Sequence, residues 1–169
     1  MDGDAFEYTA YIRTDPERLW QGLTDPELTR RYWGAELRTD WHPGSPITWV
    51  EHGAEVDHPE QVVLAAEPHR RLSYTWHTFT PEWAEAVGVS EDLRSVLAAE
   101  PRSKATFTID ALGPVVRLKL VHDGFEPGST VLDMLSEGWP AVLSSLKTLL
   151  ETGEALPDPV GAGEGSDDG

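Results

Sequence analysis

The sequence predicts an α+β fold in which a curved antiparallel sheet of about six to seven strands grips one long C-terminal helix. Three observations lead to this prediction. Short segments that alternate polar and apolar residues are separated by turn signals, which is typical of antiparallel sheets with one wet face. Two helix-start signals follow the first of these segments. An amphipathic stripe near the C-terminus is the only predicted element large enough to cover the apolar side of the sheet.

The first predicted elements are a strand and two short helices. The apolar residues of segment 4–13 occupy alternate positions, namely Phe6, Tyr8, Ala10 and Ile12. This alternation indicates a half-buried strand. Pro16 and Pro26 each follow a Thr-Asp pair, and proline after a capping residue is typical of the first turn of a helix. We therefore expect two short helices within residues 14–34.

The middle of the chain contains the remaining predicted strands. They are residues 35–41, 47–51, 62–67, 71–79, 104–110 and 115–122. In segment 71–79, Trp76 falls on the apolar face and His77 on the opposite face. In segment 115–122, His122 falls on the apolar face. Alternation assigns these faces because successive side chains of a strand point to opposite sides.

One helical segment, residues 81–101, interrupts the predicted strands. Pro81 and Ser90 suit the starts of helices, and apolar residues recur between them and residue 101. The length of this insertion fits either a lid over the mouth of the sheet or a packed cover. The sequence leaves both interpretations open.

The last predicted helix begins near Ser129 or Thr130 and ends at Gly153. Its apolar stripe includes Trp139, Val142, Leu143, Leu146, Leu149 and Leu150. Pro140 has no amide proton, so we expect the helix to kink or restart there. Residues 154–169 are rich in Pro, Gly and acidic residues, which predicts a disordered acidic tail. The predicted domain therefore spans residues 5–153.

Composition excludes several classes of partner. The chain has 13 Lys and Arg residues against 30 Asp and Glu residues, a formal net charge of −17. A surface of this charge repels phosphate groups, so we expect neither a nucleic-acid partner nor a membrane partner. There is no secretory signal and no cysteine, so we expect a cytoplasmic location. The oligomeric state does not follow from the sequence.

The polar residues form no diagnostic catalytic or metal-binding motif. Neither a zinc-protease HExxH nor a GxSxG elbow occurs. His52 and His58 lie near acidic residues, but their spacing is that of a polar loop, so no metal and no cofactor are predicted. His122 suits either a ligand-binding or acid–base role, or a buried histidine bonded to backbone. We favour the buried histidine and predict no catalytic residue.

Three motifs carry a resemblance to a protein family: YIRTDPERLWQGLTDPELTRRYW, LVHDGF and GWPAVLSSLKTLLETG. Through them, residues 5–153 resemble the AHSA1-like branch, named for activator of Hsp90 ATPase homologue 1, of the START-like, or SRPBCC, superfamily. The resemblance implies a helix-grip fold with a hydrophobic cavity between the sheet and the C-terminal helix. Members of the superfamily include lipid and polyketide binders, cyclases, co-chaperone domains and self-protection proteins of antibiotic producers.

The leading functional hypothesis is non-enzymatic binding of a hydrophobic small molecule in the cavity between the sheet and the C-terminal helix. The expected ligand is a lipid, a polyketide or an aromatic compound. The predicted cavity residues are Tyr8, Trp49, Tyr74, Trp76, Phe107, Leu118, His122, Trp139 and Leu143. Aromatic walls with a few polar groups are typical of ligand pockets. The same rings could instead fill the core, because protein interiors are close-packed.

Two other functions remain open from the sequence. The first is a protein-interaction module, linked to a chaperone or to a regulator, that uses the acidic surface and segment 81–101. The second is a polyketide cyclase or hydrolase-like enzyme with His122 as acid and base, or an antibiotic self-protection protein. We rank the enzyme last because no second catalytic group is visible beside His122.

Overall fold

The computed structural model describes residues 4–157, which form eight strands and five helices. In chain order these are β1 (Phe6–Ile12), α1 (Pro16–Thr24), α2 (Pro26–Tyr32), β2 (Ala35–Arg38), β3 (Thr48–Glu51), β4 (Ala54–Val56), β5 (Val63–Glu67), β6 (Arg71–Thr75), α3 (Pro81–Val87), α4 (Glu91–Ala98), β7 (Lys104–Ala111), β8 (Val116–Asp123) and α5 (Thr130–Thr152). The α+β class and the order of elements are as predicted. From residue 158 onward, the predicted acidic tail lies outside the described residues.

The strands form two antiparallel sheets. One has five strands in the order β1-β8-β7-β6-β5, and the other has three in the order β2-β3-β4. A bridge between Pro46 and Val62 links the two, and the Val63 amide donates to the Ser45 carbonyl at 2.9 Å. The short strand β4 was not predicted, because three residues are too few for alternation to be recognised.

The helix pair α1–α2 forms where the capping residues predicted it. The Asp15 side chain accepts from the Arg18 amide, and the Asp25 side chain accepts from the Glu27 amide. The Tyr32 hydroxyl then joins the two helices by donating to the Gly22 carbonyl at 2.8 Å. The bonds of Asp15 and Asp25 satisfy amides that helix starts leave without partners.

Helix α5 covers the inner face of the five-stranded sheet. It runs without interruption from Thr130 to Thr152, so the restart that was one of two outcomes predicted at Pro140 is wrong, and the kink stays a prediction. Leu135 and Trp139 before the proline, and Leu143 after it, are all buried in the same core. Pro140 cannot donate a backbone hydrogen bond, and the burial of these residues on both sides of it compensates for the missing bond, because packing supplies most helical stability in proteins. None of the helices within residues 4–157 has both the length and the apolar character needed to cross a lipid bilayer.

Segment 81–101 contains two helices, α3 and α4, separated at Gly88. Gly88 ends α3 with a φ of 85°, a left-handed conformation that glycine adopts readily. On α3, Trp83 is buried, and its indole nitrogen donates to Glu51 Oε1 at 2.9 Å. On α4, Leu97 is buried while Val96 is 48% exposed. The segment is thus anchored to the small sheet through α3, and its role as a lid stays a prediction.

Candidate ligand-binding site

Aromatic rings fill the space between the large sheet and α5. The rings of Trp33, Trp49, Tyr74, Trp76, Phe107 and Trp139 form a chain of contacts with centroid separations of 4.8–6.4 Å. Trp139 lies 5.5 Å from Trp76 and 5.8 Å from Phe107. These are direct ring contacts, so no further ring fits between them. We call these six residues the aromatic cluster.

The other predicted apolar site residues lie around this cluster. Leu118 on β8 and Leu143 on α5 are buried in the same core. Tyr8 on β1 is half-buried, and its ring stacks on Phe6 at 6.2 Å. Trp33, at the end of α2, belongs to the aromatic cluster but was missed, because its place at a helix end gives no alternation signal.

His122 is buried and makes two hydrogen bonds inside the protein. Its Nδ1 accepts from Trp139 Nε1 at 3.0 Å, and its Nε2 lies 2.8 Å from Ser103 Oγ. Because an indole N–H only donates, Nδ1 carries no proton, and the proton of the neutral ring is on Nε2. Burial, with smaller effects of His77 and Lys104, lowers the pKa of His122 to about 3. A ligand that bonds His122 has to displace one of these two partners.

A pocket of about 290 Å³ lies beside the aromatic cluster, where the chain leaves β6. Its lining residues are Glu60, Trp76, His77, Thr78, Phe79, Ala98, Glu100, Pro101, Arg102, Ser103 and Val131. The pocket therefore lies between the end of β6, the end of α4 and the first turn of α5. Among the predicted site residues, Trp76 lines it. Its volume is close to the lower limit of small-molecule sites, roughly 300 Å³.

Three buried polar atoms at this pocket and behind it lack hydrogen-bond partners among residues 4–157. They are Thr78 Oγ1, Arg102 Nε and Trp49 Nε1. Thr78 and Arg102 line the pocket, and Trp49 contacts the pocket residue Trp76 at 4.8 Å. Leaving such an atom unpaired costs about 1–3 kcal/mol. Two of the three unpaired atoms therefore belong to residues of one cavity, and buried polar atoms without partners are rare enough in proteins to need an explanation.

His77 is the residue whose predicted position was wrong. Alternation placed it on the face opposite Trp76, yet both residues line the same pocket, and both rings contact Trp49, at 5.0 Å for His77 and 4.8 Å for Trp76. Strand β6 ends at Thr75, so alternation no longer applies at residue 77. The His77 Nδ1 atom lies 2.9 Å from the Thr78 carbonyl oxygen. Burial lowers the pKa of His77, which favours a neutral ring.

Gln61 fixes the backbone beside the pocket. Its side chain is buried, and its Nε2 donates to the carbonyls of Ile47 and Val56. Its Oε1 accepts from the Thr78 amide at 2.8 Å. One side-chain amide therefore ties the small sheet to the pocket wall. A glutamine in a polar loop gives no sequence signal of such a role.

Arg102 and Glu100 place charges at the pocket. Arg102 donates through Nη1 to the Trp76 carbonyl at 2.9 Å, and its Nε lies 3.6 Å from Glu60 Oε1. Glu100 accepts through Oε2 from the Thr130 amide at 2.8 Å, so its carboxylate caps the N-terminus of α5. Sequence reasoning missed both residues because they lie in the loop between α4 and β7, outside any recognisable motif.

Comparison with known proteins identifies the family. Residues 13–151 match the family described as activator of Hsp90 ATPase homolog 1-like protein. No curated protein matches the chain. Among solved structures, the chain resembles protein MLL2253 from Mesorhizobium loti, with 26% identity, a TM-score of 0.67, and coverage of 87% of this chain and 96% of that one.

Two further structures share the fold at lower identity. The Aha1 dimer from Colwellia psychrerythraea is 16% identical, with a TM-score of 0.65 and coverage of 90% of this chain and 99% of that one. DynU16, a protein in the dynemicin biosynthetic locus, is 20% identical, with a TM-score of 0.64 and coverage of 90% of this chain and 49% of that one. The family model spans most of the domain described above. The chain therefore belongs to the activator of Hsp90 ATPase homolog 1-like family.

Proposed function

We propose that this protein binds a hydrophobic or aromatic small molecule, without changing it chemically, in the pocket beside Trp76. The observation that carries the proposal is a cavity of about 290 Å³ with an aromatic wall and buried polar atoms that lack partners. The fold supports a role in ligand binding or in protein interaction, and this cavity favours ligand binding.

The pocket combines apolar and polar groups in one cavity. Trp76, Phe79 and Val131 supply apolar surface, while Thr78 and Arg102 supply polar atoms. Polar and charged residues make up about half of the lining, so the pocket is more polar than most small-molecule sites. The volume suits a compact ligand of one or two rings. In this proposal Trp49 and Trp139, two of the other cavity residues predicted from the sequence, act from behind the pocket wall because their rings contact the Trp76 ring.

The histidines favour binding over catalysis. Both nitrogens of His122 are bonded inside the protein, and its pKa of about 3 leaves it unprotonated at neutral pH. His77 lines the pocket with a neutral ring. A general acid or base needs a second group that positions or charges it. Within residues 4–157, neither ring is hydrogen-bonded to a carboxylate, the group that most often orients and charges a catalytic histidine.

The first prediction is that a bulky side chain placed in the pocket weakens the binding of an aromatic ligand. Ala98 lines the pocket but is exposed on α4, so Ala98→Trp places a large ring at the entrance without disturbing the core. We expect calorimetry with the uncharged probe 2-naphthol to show binding to the wild type and at least about tenfold weaker binding to Ala98→Trp, because the added ring occupies the ligand's volume.

Ser95→Trp is the matched control, since Ser95 is exposed on the same helix and does not line the pocket. It should bind 2-naphthol as the wild type does. Equal affinities in Ala98→Trp and Ser95→Trp, with both variants folded by circular dichroism, would contradict the proposed site. If the wild type binds neither 2-naphthol nor naphthalene, the proposed function itself is contradicted.

A further inference from the structure

We infer that the pocket selects uncharged aromatic ligands that carry a hydrogen-bonding oxygen, and that it discriminates against carboxylates and phosphates. This inference rests on the proposed function and specifies the ligand class of the same site. Two features carry it: buried polar atoms of pocket residues that have no partner in the described part of the chain, and positive groups that protein carboxylates already occupy.

The available atoms match an oxygen-bearing ligand. Arg102 Nε can only donate, and Thr78 Oγ1 can donate or accept. Both are buried at the pocket, and within the described part of the chain neither has a hydrogen-bond partner. The nearest carboxylate oxygen to Arg102 Nε, from Glu60, is 3.6 Å away, which is an ion-pair distance and too long for a hydrogen bond. Both atoms are enclosed by protein, so in this inference a small shift of the pocket side chains lets a hydroxyl or carbonyl oxygen of the ligand accept from Arg102 and bond Thr78.

The positive charges that would attract an anion are already balanced. Arg102 is paired with Glu60, and the N-terminus of α5, which would otherwise suit an anion, is capped by Glu100. The lining thus has one positive side chain against two negative ones. His77 adds no charge, because its buried ring is neutral. A carboxylate in the pocket would therefore face net repulsion in a partly buried site, where charges are weakly screened.

Three probes with the same ring system test this selection at neutral pH: naphthalene, 2-naphthol and 2-naphthoate. We expect calorimetry to give 2-naphthol about five- to tenfold higher affinity than naphthalene, the usual effect of one hydrogen bond. The affinity for 2-naphthoate should be at least about tenfold lower than that for 2-naphthol. Equal binding of naphthalene and 2-naphthol, or 2-naphthoate binding as tightly as 2-naphthol, overturns the inference while leaving the proposed function intact.

Two variants, Thr78→Val and Glu100→Gln, test which residues cause the preference for uncharged ligands with an oxygen. Thr78→Val keeps the shape of the side chain and removes its hydroxyl, so it should reduce the preference for 2-naphthol over naphthalene about fivefold and leave naphthalene binding unchanged. Thr9→Val, on the exposed side of β1, is the control. If Thr78→Val weakens both probes equally, the hydroxyl has only a structural role and its assignment to the ligand is wrong.

Glu100→Gln tests the exclusion of anions. The glutamine oxygen can still cap α5, but the negative charge is gone, so affinity for 2-naphthoate should rise about fivefold or more while that for 2-naphthol stays constant. Glu137→Gln, exposed on α5 and away from the pocket, should leave both affinities unchanged. Unchanged 2-naphthoate binding in a folded Glu100→Gln protein contradicts the role of this charge.

Discussion

At the scale of single residues, His122 gives the protein a specific pH sensitivity. In the folded protein its pKa is about 3, well below the ordinary value of 6.5, mainly because the ring is buried. The unfolded chain therefore binds more protons than the folded protein between these two values. In a pH range where the unfolded chain binds more protons than the folded protein, the free energy of unfolding increases with pH. The contribution of His122 is complete above about pH 6.5 and is lost as the pH falls toward 3.

We predict that the titration of His122 lowers the free energy of unfolding by about 2 kcal/mol when the pH falls from 7.5 to 5. From pH 6.5 to pH 5, only the unfolded chain takes up this proton, and each pH unit contributes about 1.4 kcal/mol. Urea unfolding at both pH values should show this loss in the wild type and a correspondingly smaller loss in His122→Gln, which cannot titrate. His42→Gln, exposed on the surface, is the control. A wild-type loss that persists undiminished in His122→Gln would show that other groups cause it.

The residues of the pocket also show where sequence reasoning reaches its limit. Trp139 was identifiable because it lies in a helix whose periodicity assigns a face, and Trp76 was identifiable because it directly follows β6 and continues the alternation of that strand. Thr78 and Arg102 were not, since each follows or precedes a strand and is brought to the pocket by long-range contacts. Their shared property, a buried polar atom without a partner, exists only in three dimensions.

At the scale of elements, the contact between α1 and α5 depends on the absence of a side chain. A Cβ atom built at Gly22 would lie 3.0 Å from Leu146 Cδ1, closer than side chains normally approach. Gly22 therefore lets α1 lie directly against the C-terminal helix. Gly138, in the middle of α5, has nothing within 4 Å of the corresponding position. The two glycines form a natural pair for comparison, because both are helical.

We predict that Gly22→Val lowers the free energy of unfolding by about 1–3 kcal/mol, because overpacking forces α1 away from α5. Gly138→Val should change it by less than about 0.5 kcal/mol, since valine fits the open space and differs little from glycine in helix propensity. Chemical denaturation of the two variants measures the difference. Similar effects at both positions would mean that the close approach at Gly22 does not limit packing.

The elements themselves follow closely from sequence signals. Capping residues located α1 and α2, and alternation gave the correct buried faces of β1 and β8. The restart expected at Pro140 does not occur, because the local cost of the proline is smaller than the gain from burying α5 along its length. Local rules predict what an element prefers by itself, whereas α5 is stabilised by the core that it covers.

At the scale of the whole molecule, Gln61 connects the two sheets and the pocket. Its amide bonds reach Ile47, Val56 and Thr78, which lie in different parts of the fold. Removing the side chain would leave two carbonyls and one amide without partners in a buried region. Removing Gln61 should therefore disturb the packing of the two sheets against each other as well as the individual hydrogen bonds.

We predict that Gln61→Ala lowers the free energy of unfolding by about 3 kcal/mol, at about 1 kcal/mol for each lost hydrogen bond, and weakens 2-naphthol binding as Thr78 loses its support. Gln21→Ala, exposed on α1, should leave both quantities unchanged. Thermal melts and calorimetry on the same samples test the coupling. Loss of stability with unchanged binding would show that the pocket is held by other contacts.

The aromatic cluster gives the protein a built-in optical reporter. Trp33, Trp49, Trp76 and Trp139 have ring centroids within 6.0 Å along a continuous path. Indoles this close exchange excitation energy, so light absorbed by one of them is shared among all four. A molecule that quenches Trp76 at the pocket would therefore dim the emission of the whole group. Candidate ligands can be screened by intrinsic fluorescence, with no attached dye, at concentrations where a single isolated tryptophan would give a weak signal.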